Sequence, residues 1–291
     1  MKDAPTRPAM RYHGGKWRIA PWIISHFPKH KTYVEPYGGA ASVLLRKRRS
    51  SGEVYNDLDG DVVNLFRVLR SPLQREQLIE SIRYTPYARS EFQVAFEPAD
   101  DAGNIERARR LLVRAEMGFG SAGATRGKTG FRCQTHAHLD RDPPGRSVQM
   151  VWADKVNVLK KVATRFQGVM IENRPAMEVI SYWDHQEKTL FYIDPPYLPG
   201  VRDSHTHRAY RHEMSDDQHV ELLKELCALR GMVVISGYQS DIYNSLLSGW
   251  HTEGRSVSAA GNRGSVVRVE RLWMNQAVVD QLNKKGPLFD G

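Results

Sequence analysis

Asp194-Pro195-Pro196-Tyr197 is the segment whose residue types could most directly do chemistry. Proline fixes its own φ and restricts the residue before it, so two prolines in succession stiffen a turn and remove N–H donors from it. A stiff turn lets Asp194 present its carboxylate beside the Pro195 carbonyl, two acceptors converging on one place. An amino group, with two N–H bonds to donate, suits such a pair. Tyr197 adds a flat face on which a base can stack. A proline-stiffened turn with no chemical role is the alternative. Its position directly after the apolar run Thr189-Leu190-Phe191-Tyr192-Ile193, and its company in the chain, favour chemistry.

That company begins with Glu35-Pro36-Tyr37-Gly38-Gly39-Ala40-Ala41-Ser42, which follows a strand-like run and leads into Val43-Leu44-Leu45. A short strand, a glycine turn and a helix open a nucleotide-binding α/β unit. Asp57 lies 18 residues after Gly39, near the spacing at which an acid on the second strand takes ribose hydroxyls. It could instead cap the helix that follows. Tyr12-His13-Gly14-Gly15-Lys16 contains a fragment of a phosphate loop, but the upstream glycine is missing and no Ser or Thr follows Lys16. Nucleotide hydrolysis is therefore excluded.

Taken in order, Tyr12-His13-Gly14-Gly15-Lys16, the Glu35–Ser42 segment, Asn56-Asp57, a long insert and Asp194-Pro195-Pro196-Tyr197 resemble the Dam-type, D12 class of N6-adenine DNA methyltransferases over almost the full length. The resemblance implies S-adenosyl-L-methionine as cofactor, with Tyr12, Lys16, Glu35, Pro36, Tyr37, Gly38, Gly39, Asp57 and Asp194 contacting it. It implies methyl transfer to the N6 amino group of adenine in duplex DNA, carried by Asp194, Pro195, Pro196 and Tyr197. The following helix N-terminus is expected to favour the cofactor carboxylate. The amino group is paired inside a duplex, so the target nucleotide is expected to flip, with Tyr197 stacking on it. Two departures stand out: Ala41 where the family has glycine, and Tyr12 where it has tryptophan. An RNA adenine methyltransferase and a catalytically silent DNA-binding protein of the same fold remain alternatives.

The elements that must position these residues read as an α/β sheet. Short apolar runs at Thr32–Glu35, Gly52–Asp57, Gly168–Glu172, Thr189–Asp194 and Met232–Ser236 suit buried parallel strands, with helices such as Asp217–Leu229 between them. An antiparallel pair is expected near His251–Ser256 and Ser265–Met274. The expected fold is a Rossmann-like class I methyltransferase sheet, residues 1–66 and 168–291, with an inserted, mainly helical DNA-recognition subdomain at 67–167. A simple crossover needs far fewer residues.

Charge points the same way. The chain carries 42 Lys and Arg against 33 Asp and Glu, a surplus of nine. From Asp101 to Phe166 there are 13 basic and 6 acidic residues, so seven of the nine fall within the insert. A concentrated basic region is what phosphate contact requires. Within it, Arg126, Lys128 and Arg132 are the candidate DNA-binding residues, the arginines suited to guanine and the lysine to phosphate. Cys133, His136 and His138 do not make a convincing zinc set, and no metal is expected. His205, His207 and His212, with Arg202, Arg208 and Arg211, form either a solvated loop or a segment closing over a flipped base. Tyr238 could line the pocket or simply pack. Two cysteines, no apolar start and no apolar run of about 18 residues lead to the expectation of a chain in the cytoplasm of a bacterial or phage-infected cell, with no membrane and no obligatory protein partner.

Overall fold

The computed structural model describes residues 4–98, 101–120, 123–125, 129–133, 146–185, 188–198, 200, 210–261 and 264–284. Seven strands form one sheet: β1 (Thr32–Glu35), β2 (Gly52–Asn56), β3 (Met170–Glu172), β4 (Thr189–Ile193), β5 (Met232–Gly237), β6 (His251–Gly261) and β7 (Gly264–Met274). Their order is β3-β2-β1-β4-β5-β7-β6. The first five are parallel, and β7 enters antiparallel between β5 and β6. All five parallel strands and the antiparallel pair stand where the apolar runs placed them, within two residues at their starts apart from the longer hairpin.

The central parallel strands β4 and β5 are buried on both faces, which is why they read as continuous apolar runs rather than alternating ones, whereas the edge strand β3 is partly exposed. Along β4, Leu190 and Tyr192 join one core while Phe191 and Ile193 join another. The second core is closed by α9 (Ala176–Trp183), α10 (Asp216–Ala228) and α11 (Asp241–Leu246). The first is closed by α2 (Ser42–Arg46), α3 (Gly60–Arg70) and the helices that follow it.

Between β2 and β3 the described residues hold six helices: α3 and then α4 (Pro72–Tyr84), α5 (Arg89–Val94), α6 (Asn104–Met117), α7 (Val148–Ala153) and α8 (Lys155–Phe166). Leu78 and Ile82 of α4, Leu111 and Leu112 of α6, and Leu159 and Phe166 of α8 share one core with Tyr55 of β2 and Phe66 of α3. The rings of Phe66 and Phe166 stack at 4.3 Å. The boundary expected between residues 66 and 67 falls inside α3, so the helical segment grows out of the sheet's own layer. A buried ion pair joins the two parts: Glu53 of β2 receives Arg165 of α8 at 2.6 Å, beside Lys47 of its own part at 2.6 Å. The remaining helices are α1 (Ala20–Ser25) and α12 (Gln276–Asn283).

Candidate active site

Strands β1 and β4 are neighbours, yet their connections leave to opposite sides, and ligands of open α/β sheets bind outside the carboxyl ends of strands at such a point. β1 ends at Glu35, and the chain turns through Pro36–Ala41. Gly38 donates its N–H to the Asn56 carbonyl at 2.8 Å, and the Asn56 side chain donates back to the Pro36 carbonyl at 2.8 Å. A Cβ at Gly38 would lie 2.1 Å from the Tyr55 ring, so only glycine fits there. Gly39 has φ of 47°, and a Cβ on it would lie 2.7 Å from Tyr12. The turn is thus held between two aromatic rings. Ala41, at φ 55°, is the one non-glycine residue in the left-handed region among the described residues, and it is fully buried. That conformation explains why glycine is preferred at this position and shows that alanine meets the same geometry at a cost of roughly 1–2 kcal/mol.

Asp57 braces this turn. One carboxylate oxygen accepts from Gly39 N–H at 2.7 Å and the other from Asp59 N–H at 2.8 Å. The helix cap is Asp59, whose side chain accepts from Asp61 N–H at 2.9 Å. Capping by Asp57 itself is therefore corrected. Burial pushes the Asp57 carboxyl up to about 6, against the pull of its backbone donors. Glu35 is buried too, and accepts from the Tyr33 hydroxyl at 2.6 Å and Leu44 N–H at 3.1 Å. Burial pushes its carboxyl up to about 8. Because Leu44 N–H is spent on Glu35 and α2 has only five residues, the helix expected to receive a ligand carboxylate offers it little.

At the end of β4, Asp194 faces Lys16. The Lys16 ammonium stands 3.0 Å from Asp194 Oδ1, 3.8 Å from Glu270 Oε1 and 2.7 Å from the Gly14 carbonyl. It also sits 4.7 Å above the Tyr197 ring centroid. Burial opposes its charge, but Asp194 and Glu270 outweigh burial and hold the ammonium well above its usual range. Burial raises the Asp194 carboxyl, with Lys16 and the Tyr197 phenol pulling the other way. The turn after Asp194 is fixed from below by His219 of α10, whose Nε2 meets the Pro196 carbonyl at 2.9 Å and whose Nδ1 meets the Tyr243 hydroxyl at 3.1 Å. Neither His219 nor Glu270 was singled out by sequence. A histidine in an amphipathic helix carries no mark of burial, and Glu270 stands among alternating polar and apolar residues.

A cavity of about 260 Å³ opens between these groups. Tyr12, Lys16, Glu35, Pro36, Tyr37, Gly38, Gly39, Asp57 and Asp194 all line it, so the structure gathers every candidate cofactor residue around one space. Pro196 lines it as well, whereas Pro195 and Tyr197 do not. Tyr197 is 7% exposed, with the Tyr238 ring edge-on at 4.8 Å and Lys16 over its face. Cation and neighbouring ring thus cover the Tyr197 ring, on which the base is expected to stack, in this conformation. Tyr238 therefore packs on Tyr197 and lies behind the cavity wall, under Arg268 at 5.3 Å. Arg211 and His212 line the far side, and Arg211 reaches Asp59 and Asp61 at 3.0 Å each. Arg202, His205, His207 and Arg208 lie outside the described residues.

Arg126 and Lys128 also lie outside the described residues. Arg132 donates its N–H to the Met117 carbonyl at 2.7 Å, and its own carbonyl accepts from the Tyr87 hydroxyl at 2.7 Å. Gly118 and Phe131 form an antiparallel bridge just after the end of α6. Cys133 is exposed, and among the described residues no three metal-ligating side chains converge.

A seven-stranded sheet of this mixed α/β kind, with a glycine-turned cavity at its switch point, fits a methyltransferase fold. The sequence model of the family described as D12 class N6 adenine-specific DNA methyltransferase matches residues 12–111, from the Tyr12 motif through β1, the glycine turn and β2 into α6. The resemblance drawn from the motifs is borne out. Two proteins named DNA adenine methylase, from two strains of Vibrio cholerae serotype O1, are each 23% identical over 202 residues. That stretch covers 66% of this chain and 66% of theirs, so the chain spans just under two thirds of the length of these relatives. No helix among the described residues is long and apolar enough to cross a membrane.

Proposed function

We propose that this protein methylates the N6 amino group of adenine in duplex DNA, taking the methyl group from S-adenosyl-L-methionine. The observation that carries the reading is the half-buried Asp194 carboxylate at the rim of a cavity whose other walls are the Gly38-Gly39 turn, Asp57 and Tyr37. The residues present fit the cofactor. The turn is free of Cβ atoms where a ligand must approach closely, Asp57 offers further lone pairs to ribose hydroxyls, and Tyr37 offers an apolar face. Lys16 and Asp194 supply charge for an amino-acid moiety, and the Glu35 carboxyl a hydrogen-bonding group beside them. When bound, the cofactor supplies an electrophilic methyl group.

The adenine amino nitrogen is a poor nucleophile because its lone pair is delocalised into the ring. Asp194 and the Pro195 carbonyl accept its two N–H bonds and so turn the lone pair out of conjugation. The carboxylate also stabilises positive charge as it develops on nitrogen, and a fixed acceptor does this without reorganising. The prolines and His219 keep that acceptor pair from moving. In the free protein, Lys16 occupies Asp194 Oδ1, so the arriving amino group takes the place of the ammonium there.

The duplex requires the target nucleotide to leave the stack, which costs a few kcal/mol. The basic surplus of residues 101–166 supports binding of the phosphate backbone that compensates. The test is incorporation of labelled methyl groups into duplex DNA, with structured RNA as competitor. Asp194→Ala is expected to remain folded and to lose roughly 10²–10³-fold in kcat, the worth of a fixed electrostatic partner. Near-wild-type incorporation by that variant overturns the assignment of Asp194, and preferential methylation of RNA overturns the substrate.

A further inference from the structure

β7 is inside out. Along it, Val267 and Val269 point to solvent at 65% and 49% exposure, while Glu270, on the opposite face with Leu272, is 3% exposed. A strand with one wet face ordinarily does the reverse, burying valine and exposing glutamate. Burying a carboxylate is costly unless it is paired and hydrogen-bonded, so such an inversion marks a residue retained for a task. Its cross-strand partner on β6 is Arg255, an exposed residue. What Glu270 meets inside is the active site: its Oε1 accepts the Tyr197 hydroxyl and stands 3.8 Å from Lys16 Nζ.

We infer that Glu270 is a positioning residue for base recognition, anchoring the Tyr197 phenol so that the ring keeps one plane beside Asp194. This rests on the reading of the site as an adenine N6 methyltransferase and extends it to a residue on the antiparallel hairpin. An aromatic ring attached through a single Cβ has two soft torsions, and a stacking platform free to swing loses orientation of the stacked base. The Pro195-Pro196 turn fixes the backbone at one end of Tyr197, and Glu270 fixes the hydroxyl at the other. Tyr238 supports the ring from the edge, held in turn beneath Arg268 of the same strand. Lys16 can leave the Tyr197 face for a base because Glu270 offers its ammonium a second carboxylate within reach. Glu270 and Tyr197 both stand behind the cavity lining, so Glu270 acts on the site through the ring it anchors.

The test is a double-mutant cycle with Glu270→Ala, Tyr197→Phe and both together, read as kcat/KM for duplex DNA, cofactor affinity, and the fluorescence of 2-aminopurine at the target position. Each single variant is expected to lose roughly ten- to a hundredfold in kcat/KM, the worth of one hydrogen bond to a charged group. The two losses should combine to less than their product, because both variants remove the Tyr197–Glu270 bond, although Tyr197→Phe also removes the phenol beside Asp194. Cofactor affinity should stay that of the wild type in all three, and 2-aminopurine should be held less uniformly. Glu270→Gln keeps an oxygen acceptor for the phenol and is expected to recover most of the loss. It also serves if Glu270→Ala fails to fold. Wild-type activity in Glu270→Ala, losses that multiply in the double variant, or a Gln variant as impaired as Ala each overturn the anchoring role. A wild-type protein that transfers no methyl group to DNA overturns instead the reading on which it rests, and the two failures are told apart by that single control.

Discussion

Replacing Gly38 with alanine adds one methyl group, and the structure says how much that should matter. The new carbon would stand 2.1, 2.6 and 2.8 Å from three atoms of the Tyr55 ring. The ring cannot give way. It is fully buried, packs edge-on against Phe66 at 4.8 Å and Phe166 at 5.5 Å, and its hydroxyl donates to the Gly39 carbonyl at 2.7 Å. Overpacking of this kind costs about 1–3 kcal/mol, and displacing the ring also loses a net hydrogen bond of about 1 kcal/mol. A loss of about 2–4 kcal/mol is a large share of the roughly 5–15 kcal/mol that holds a domain folded. With a slope near 3 kcal/mol per molar urea, the unfolding midpoint should fall by roughly 1 M. Because the clash pushes on the Gly39 carbonyl, S-adenosyl-L-methionine affinity measured by calorimetry should fall in the same variant. Shrinking the ring should relieve the strain, so Tyr55→Leu should cost less in the Gly38→Ala background than alone. A Gly38→Ala protein with the wild-type midpoint and the wild-type affinity would refute this account of the turn.

Two further outcomes are expected. The Asp57 carboxyl is raised to about 6, so it is ionised above that value and protonated below it; as an acceptor for ribose hydroxyls it should give cofactor affinity that declines as pH falls through about 6, and Asp57→Asn should bind weakly with no such decline. The same raised value means that the folded state holds the proton more firmly, so its contribution to stability falls as pH rises from the ordinary 3.8 towards about 6, which urea titrations across that window would reveal. For target choice, Arg126→Ala and Arg132→Ala should relax or shift the methylated sequence, each costing about 1–3 kcal/mol at one base pair, while Lys128→Ala should weaken binding uniformly and lower its salt dependence. Methylomes of the three variants, with affinities at two salt concentrations, decide this: an unchanged target profile in all three places the reading residues elsewhere.

The sheet was legible because its central parallel strands are buried on both faces and leave uninterrupted apolar runs such as Thr189–Ile193 and Met232–Ile235. The cavity wall was legible for another reason: Glu35, Gly38, Gly39 and Asp57 sit at strand ends, where sequence spacing and spatial position agree. Lys16 was legible only as a residue of interest. Its pairing with Asp194 spans the whole helical insert, and no local pattern announces such a contact. Glu270 was hidden by a rule that usually works, since alternation assigns Val267 and Val269 inwards and the strand does the opposite. The helices between β2 and β3 were read as helical, but their sharing of the sheet's core depends on long-range packing, such as Phe66 on Phe166, which composition does not encode.

Ala41 closes the glycine turn in a backbone conformation that alanine disfavours by roughly 1–2 kcal/mol, and it does so with no exposure to solvent. A residue stays in such a conformation only where its surroundings outweigh its own preference. Here the surroundings are the Gly38 carbonyl receiving Ala41 N–H at 2.7 Å, the Asn56 clamp, the Tyr55 hydroxyl and the Asp57 carboxylate, none of which requires a ligand. The turn is therefore built to its final shape when the chain folds. A ligand that settles against it meets a preorganised surface and loses no affinity to the ordering of a loop. Folding stability has been exchanged for readiness, with the strain stored in a single alanine.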